Sequence, residues 1–430
     1  MQEPNRQIPP KTVPVDSFDT PKAEISKLSN DIPLYIIHAG TEDIVKIDIQ
    51  FRAGDWFHNK PLVAESTSEM LTEGTKNMTS AEIAYKMDFY GAILRSVSNK
   101  DTATITALTL KKHLEPILQI LSDIIKHPEF PEKEFITYLE NKKQQFHLEH
   151  SRVNTLSREK FHEAIFGRKH PYGRITEYED HERLSRNDLI QFHASYYTPE
   201  NCHILITGNT DANTCSVIDK YLGNGDWKTG KQIKIPPYSI QPADQQEIFT
   251  KKPDAVQAAI RMGYSLFNKH HPDYLGMKIV TTILGGYFGS RLMKKVREEK
   301  GYTYGISAIL ASFVHEGYFA IVSEVGSNVC RKATGAIKNE IIRLKEEKVG
   351  TSEMDMVRNY MTGELMRMFD GPLSTSSSYL TILESQVSED YFNRLFNKIN
   401  NITSDEIIEL ANKYLDEEKM ILSIAGQCND

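Results

Sequence analysis

Apolar positions along this chain switch repeatedly between two spacings, every second residue and every third or fourth, which predicts strands alternating with amphipathic helices. Asp101 to Leu110 (DTATITALTL) alternates and is predicted to be a strand. The following KKHLEPILQILSDIIK carries its apolar residues three and four apart and is predicted to be a helix. Next comes FPEKEFITYLENKKQQF, where Pro131 occupies a helix-start position with acidic residues in the first turn. The same order returns in the second half as GYFAIVSEV, CRKATGAIKNEIIRLKEEK and GTSEMDMVRNYMTGELM. Upstream of the first triplet, Ile32 to Ala53 is predicted to be a β-hairpin leading into helical LVAESTSEMLTEG. Upstream of the second, Ala255 to Gly263 reads as a strand leading into HPDYLGMKIVTTILGG.

A repeated order of this kind predicts a duplicated unit within an α+β fold: two homologous α/β halves, each a mainly antiparallel sheet with packed helices. The 430 residues are more than one ordinary hydrophobic core holds, which agrees with two units. The expected divisions are an extended arm over 1–30, a first half over 31–222, a linker over 223–250 and a second half over 251–430. The linker is rich in Gly, Pro and Gln and has no sustained period.

Composition narrows the class of protein. Apolar residues at 40% and charged residues at 25% describe a globular chain. A net charge of −7 with no dense Lys/Arg run argues against nucleic acid or an anionic membrane surface as the main partner. No apolar run approaches the ~20 residues of a membrane span, and the opening MQEPNRQIPPKTVPVD has no apolar signal core. A Pro-rich start is how many exported mature chains begin, so a periplasmic or envelope setting is favoured slightly over the cytoplasm. Cys202, Cys215, Cys330 and Cys428 lie far apart without a CxxC, which predicts buried thiols rather than a zinc ribbon or a disulfide framework.

The stretch FRAGDWFHNKPLVAESTSEMLTEGTKN, from Phe51 to Asn77, resembles the passage around the zinc site of the pitrilysin/insulinase family, which includes the mitochondrial processing peptidase and bacterial relatives. Gly54, Met70, Leu71, Gly74 and Thr75 frame it. The resemblance continues through TSAEIAYKMDFYGA, FPEKEF, HPYGR, YYTPENCHILITGN and LGGYFGSRLMKKVREEKGYTYGIS, and so covers nearly everything after about residue 30. It implies two similar α/β halves facing one another as a clamshell.

Active members carry H-x-x-E-H on one helix, where two histidines four apart hold zinc and the glutamate acts as base. The matching residues here are Glu65, Ser66, Thr67, Ser68 and Glu69, so both histidine positions hold glutamate and the base position holds Ser68. The family's third ligand, a glutamate on a later helix, falls at Gln144 or Gln145; Glu140 and Glu149 flank it by about one turn. A serine hydroxyl is no proton acceptor near neutral pH, and a glutamine is a poor zinc ligand. The expectation is therefore that this chain binds no zinc. Glu65 and Glu69 could instead hold a hard cation, though such ions want six or more oxygens, or simply form a solvated polar face. His147 and His150, three apart on a helix, and the adjacent His270 and His271 make poor chelates without a third ligand.

The second half keeps what the first has lost. Active relatives project an arginine and a tyrosine, seven residues apart, toward the substrate at the zinc site, from the second half or from a partner subunit; Arg297 and Tyr304 match that spacing. A permanent cation and a phenol donor suit a substrate carbonyl and the oxyanion that develops on it. The plainer alternative is that Arg297 pairs with neighbouring glutamates and Tyr304 fills a strand. Gly285, Gly286 and Gly289 match the family's Gly-rich loop beside the substrate chamber, or else form a plain flexible turn. On the substrate-binding edge strand, Arg95 and Ser96 replace the family's asparagine-alanine pair.

The asymmetry implies a non-zinc subunit of a heterodimeric metallopeptidase. It would supply Arg297 and Tyr304 to peptide substrate at a homologous zinc-bearing partner. The alternatives are a structural or peptide-binding clamshell without catalysis, and an independent peptidase, possibly a homodimer, with a non-standard metal site at Glu65 and Glu69.

Overall fold

The computed structural model of the chain describes residues 15–229 and 237–429. The first fourteen residues of the expected arm, and residues 230–236 of the expected linker, lie outside the described residues.

Two sheets organise the protein. The first contains β1 (Glu24–Lys27), β2 (Pro33–His38), β3 (Ile44–Phe51), β4 (Ile93–Ser98), β5 (Ala103–Leu110) and β6 (Cys202–Gly208), in the order β1-β2-β6-β3-β5-β4. The second contains β7 (Glu247–Lys251), β8 (Gln257–Leu266), β9 (Thr303–Ser312), β10 (Gly317–Gly326) and β11 (Ile421–Gly426), in the order β7-β11-β8-β10-β9. Without β1 the two sheets match strand for strand. The first pair is parallel in each, β2 with β6 and β7 with β11, and every later pair is antiparallel. The chain is thus two halves of one design, mainly antiparallel as expected.

The hairpin expected over 32–53 does not form. Strand β6 lies between β2 and β3, pairing parallel with one and antiparallel with the other. The reason is burial: Leu34, Ile36 and Ile37 of β2 and Val45, Ile47 and Ile49 of β3 are all buried, so both strands belong inside a sheet and take a distant partner over the adjacent one. The arm also proves to be more than extended coil, because β1 pairs antiparallel with β2.

Helices fill the intervals. The first half has α1 (Val63–Glu69), α2 (Ser80–Phe89), α3 (Leu114–Lys126), α4 (Glu132–His150), α5 (Val153–Phe166), α6 (Tyr178–Arg183), α7 (Arg186–Tyr196) and α8 (Ala212–Leu222). The second has α9 (Tyr274–Thr281), α10 (Cys330–Glu346), α11 (Thr351–Arg367), α12 (Gly371–Ser385), α13 (Tyr391–Asn401) and α14 (Ser404–Tyr414). The expected helical triplet partners are α3 with α10 and α4 with α11. Pro131 stands at the N-cap of α4, with Glu132 and Glu134 in its first turn.

The halves are tied by exchanged helices. Ser157 of α5 and Ser423 of β11 each donate a hydroxyl to the other's carbonyl at 3.1 Å. Reciprocally, Ser376 of α12 donates to the buried carboxylate of Asp48 on β3 at 2.6 Å. The turn between β9 and β10 also enters the first half, where His315 stacks on Trp56 and Phe313 on Tyr172. There Asp101 accepts from the Tyr172 hydroxyl and, at 3.0 Å, from the Val314 amide. None of the four cysteines forms a disulfide; Cys202 and Cys330 are buried and Cys215 and Cys428 only partly so.

Candidate functional site

Helix α1 is short and begins under strain, with Leu62 at its N-cap in the left-handed region at φ 69°. Its 3.6-residue period puts Glu65 and Glu69 on one face. Helix α4 lies opposite, and Tyr138, Lys142 and Gln145 share its facing side by spacing. The Lys142 Nζ is 2.7 Å from Glu65 Oε1 and 2.8 Å from Glu69 Oε2. The Tyr138 hydroxyl lies 2.8 Å from Glu69 Oε2 and 3.0 Å from Ser66 Oγ. Burial pulls the Lys142 pKa down, but the two carboxylates outweigh it and hold the ammonium above its ordinary range. Burial, then the Glu69 charge, push Tyr138 well up, so it stays a neutral phenol.

The ammonium therefore stands between the two carboxylates. Neither reading of Glu65 and Glu69 from the sequence describes this: they are not a merely solvated like-charged face, and the gap between them is not open to a metal ion. Ser68 is fully buried, and its hydroxyl shares a 2.8 Å hydrogen bond with Ser96 of β4. Gln145 is exposed and donates to Glu149 Oε1 at 2.8 Å. A zinc ion does not fit this set, because no imidazole is offered and both carboxylates already hold a cation. Among the described residues no cluster of three or more His, Cys, Asp or Glu side chains is arranged for a metal.

The histidine pairs have structural roles. His150 stacks on Phe146 and bridges α4 to α5 through Glu159 Oε2 at 3.0 Å, while His147 packs on Tyr178. His271 stacks on Phe267 and accepts from the Asp273 amide, and His270 is exposed.

In the second half Arg297 rides on a wider-wound π-helical stretch, Met293–Glu299, a geometry frequent at functional sites. Its guanidinium sits 4.5 Å from the centroid of the Phe288 ring, itself 64% exposed. Arg297 forms no ion pair among the described residues; nearby Glu299 pairs with Lys295 instead, at 2.7 Å. Tyr304 lies where β9 begins, in a register shift against Ser323 and Val325 of β10. The Thr303 hydroxyl donates to the Glu324 carbonyl at 2.6 Å and Ser323 donates to the Gly305 carbonyl at 2.9 Å, which pins the bulge. Bulges turn a side chain out of the pleat, and Tyr304 is 90% exposed. Of the plainer alternatives for this pair, pairing of Arg297 with a neighbouring glutamate is not found among the described residues, while Tyr304 does take a place in strand β9, with its side chain exposed. Phe288 was missed from the sequence, although an aromatic residue between Gly286 and Gly289 was a visible signal.

Gly285 is buried, and a Cβ there would lie 2.5 Å from the Ala308 backbone nitrogen on β9, so close packing fixes it rather than loop freedom. Gly286 is exposed and Gly289 half-buried. No hydrogen bond or ion pair among the described residues joins Arg297 or Tyr304 to the Glu65 cluster. What the two places share is a sheet edge: among the described residues β4, bearing Arg95 and Ser96, pairs only with β5, and β9 pairs only with β10.

The chain belongs to the M16 (insulinase) peptidase family, as a member whose zinc motif is gone. The family's "Insulinase (Peptidase family M16)" model matches residues 35–179 and its "Peptidase M16 inactive domain" model matches residues 183–361. Among relatives, the uncharacterized zinc protease YmxG of Bacillus subtilis is 22% identical over 372 residues, covering 85% of this chain and 89% of that protein. The non-peptidase homolog YmxG of Helicobacter pylori is 21% identical over 401 residues, 88% of each. The crystal structure of a peptidase M16 inactive domain from Pseudomonas fluorescens shares the fold with a TM-score of 0.85 at 19% identity, over 94% of this chain and 98% of that one.

Proposed function

We propose that this chain is the non-zinc subunit of a two-subunit M16 peptidase, inactive alone, and that it presents Arg297 and Tyr304 to a peptide held at a homologous zinc-bearing partner. The observation that carries this reading is the contrast in commitment between the halves. The first half's degenerate motif is locked by Lys142, while Arg297, half-buried, and Tyr304, exposed, have no side-chain polar partner among the described residues. Phe288 steadies the guanidinium from below by a cation–π contact. Arg297 would then grip the substrate carbonyl and Tyr304 donate to the oxygen on which negative charge grows. Any chain laid along the free edge of β9 would pass Tyr304.

The test is coexpression with a zinc-motif relative from the same genome, followed by cleavage of a quenched fluorescent peptide. The reading expects cleavage in the pair and none in the isolated chain, with loss on Arg297→Ala or Tyr304→Phe. Likeness to a non-peptidase homolog favours a second reading, a peptide-binding or structural clamshell without catalysis. It predicts that neither substitution alters cleavage by the partner.

A further inference from the structure

A cleft of about 640 Å³ opens where α5 of the first half meets the start of β8 and the end of β10 in the second. Its wall carries four cations, Arg152, Arg158, Lys252 and Arg261, against two carboxylates, Asp254 and Glu324. In a chain of net charge −7 that is a local reversal of sign. Arg152, Arg158, Lys252 and Arg261 form no ion pair among the described residues. Arg261 donates from one Nη to Asn154 Oδ1 at 2.7 Å, and Asn154 in turn holds Glu324 Oε1 at 2.7 Å. The Arg261 Nε is buried and has no acceptor among the described residues. Uncompensated donors of this kind are costly inside a protein unless something fills them.

The backbone adds to the same field. Helix α5 spans fourteen residues and begins at this cleft, and its N-cap residue Arg152 supplies no side-chain cap. Its first amides point outward with the positive end of the helix dipole behind them. Burial, reinforced by repulsion from Arg158, lowers the pKa of Arg261. Burial together with Arg261 and Arg158 drives that of His162, further along α5, down to about 3. Arg158 adds to the downward push on both groups, while Tyr318 and Glu324 offset part of it at Arg261. No aromatic ring lines the cleft, so a nucleobase has nothing to stack on.

We propose that this cleft binds a small multivalent oxyanion, gripped by Arg158, Arg261 and the first-turn amides of α5. Guanidinium forks match phosphate and carboxylate geometry alike, so the shared chemistry is the oxyanion. Its walls come from both halves, and an occupant stabilises their contact by binding only the folded chain. The site is separate from Arg297 and Tyr304 and needs no partner subunit.

The experiment titrates the full chain with pyrophosphate and with citrate, by calorimetry and by thermal unfolding. Saturable binding of at least one is expected, with a raised unfolding midpoint and an affinity that falls as salt is added. Arg158→Ala, at an exposed position that leaves the fold intact, and Arg261→Gln should each weaken binding about 10-fold. Tighter binding of pyrophosphate assigns the natural ligand to phosphate chemistry, and tighter binding of citrate to carboxylate chemistry. Absence of saturation by either ligand at millimolar concentration overturns the proposal, as does undiminished binding in the Arg158→Ala/Arg261→Gln double variant.

Discussion

The two halves share one sheet design and have spent their polar groups in opposite ways. In the first, Glu65 and Glu69 are bridged by Lys142, and the Ser68 hydroxyl is tied to Ser96. In the second, Arg297 touches an aromatic face and Tyr304 stands almost fully in solvent. Side chains that complete their hydrogen bonding internally are hard to recruit for a ligand. A guanidinium and a phenol without polar side-chain partners among the described residues keep their donors for one. Duplication gives both halves the same scaffold, and the difference lies in which side chains the scaffold leaves unpaired.

The sharpest way to break the comparison is to remove the unpaired groups. In the partner-reconstituted assay, Arg297→Ala or Tyr304→Phe should lower kcat/KM by about 10²–10³-fold, the usual loss for an oxyanion donor. Unfolding of the isolated chain should hardly change, because neither side chain bears load. Full activity in both variants would mean that exposure in the second half signifies nothing.

Next in size is the seam that holds the halves together. Burial lifts the Asp101 carboxyl to about 6, against the hydrogen bonds from Tyr172 and Val314 that pull it down. In the unfolded chain it ionises near 4. The folded state keeps the proton longer, so this stabilisation is complete below about pH 4 and is lost as pH rises through about 6. The change amounts to about 3 kcal/mol. Thermal unfolding followed from pH 4 to 7 should show wild type losing ground to Asp101→Asn, which has no proton to release. A constant gap across that range would place Asp101 outside the seam's energetics.

Lys142→Ala probes the closed site itself. It leaves two half-exposed carboxylates facing each other and removes one tie between α1 and α4, with the Tyr138 hydrogen bonds remaining, at about 1–2 kcal/mol by denaturant unfolding. An unchanged midpoint would show that the ion triad is incidental and that the first half is as uncommitted as the second.

Much of this contrast was legible in the sequence, and the parts that were not share a cause. Helices α3 and α10 follow from apolar spacing because each buries one face against its own sheet, whereas α4, which buries Phe135 and packs on neighbouring helices, was marked by Pro131 and its acidic first turn, and α11 packs on α13. The identity of Glu65, Ser68 and Glu69 showed that the zinc motif had gone. Lys142 could not be read as the replacement cation, since its role depends on how α4 docks on α1. The β2–β3 hairpin failed for the same reason: β6 arrives from more than 150 residues away and takes both inner edges. Phe288 gained meaning only when the π-helical turn carried Arg297 over its ring.

The smallest effect discriminates most finely. Ser68 occupies the position of the family's base, yet its hydroxyl is buried and shared with Ser96 on the free edge strand. Ser68→Ala removes one hydrogen bond between α1 and β4, which should cost about 1 kcal/mol in chemical denaturation. It should leave reconstituted cleavage at the wild-type rate, since the first half of this chain supplies no base. A Ser68→Ala variant that folds normally but fails in the reconstituted assay would return chemistry to α1, and the division of roles between the halves would have to be redrawn around that hydroxyl.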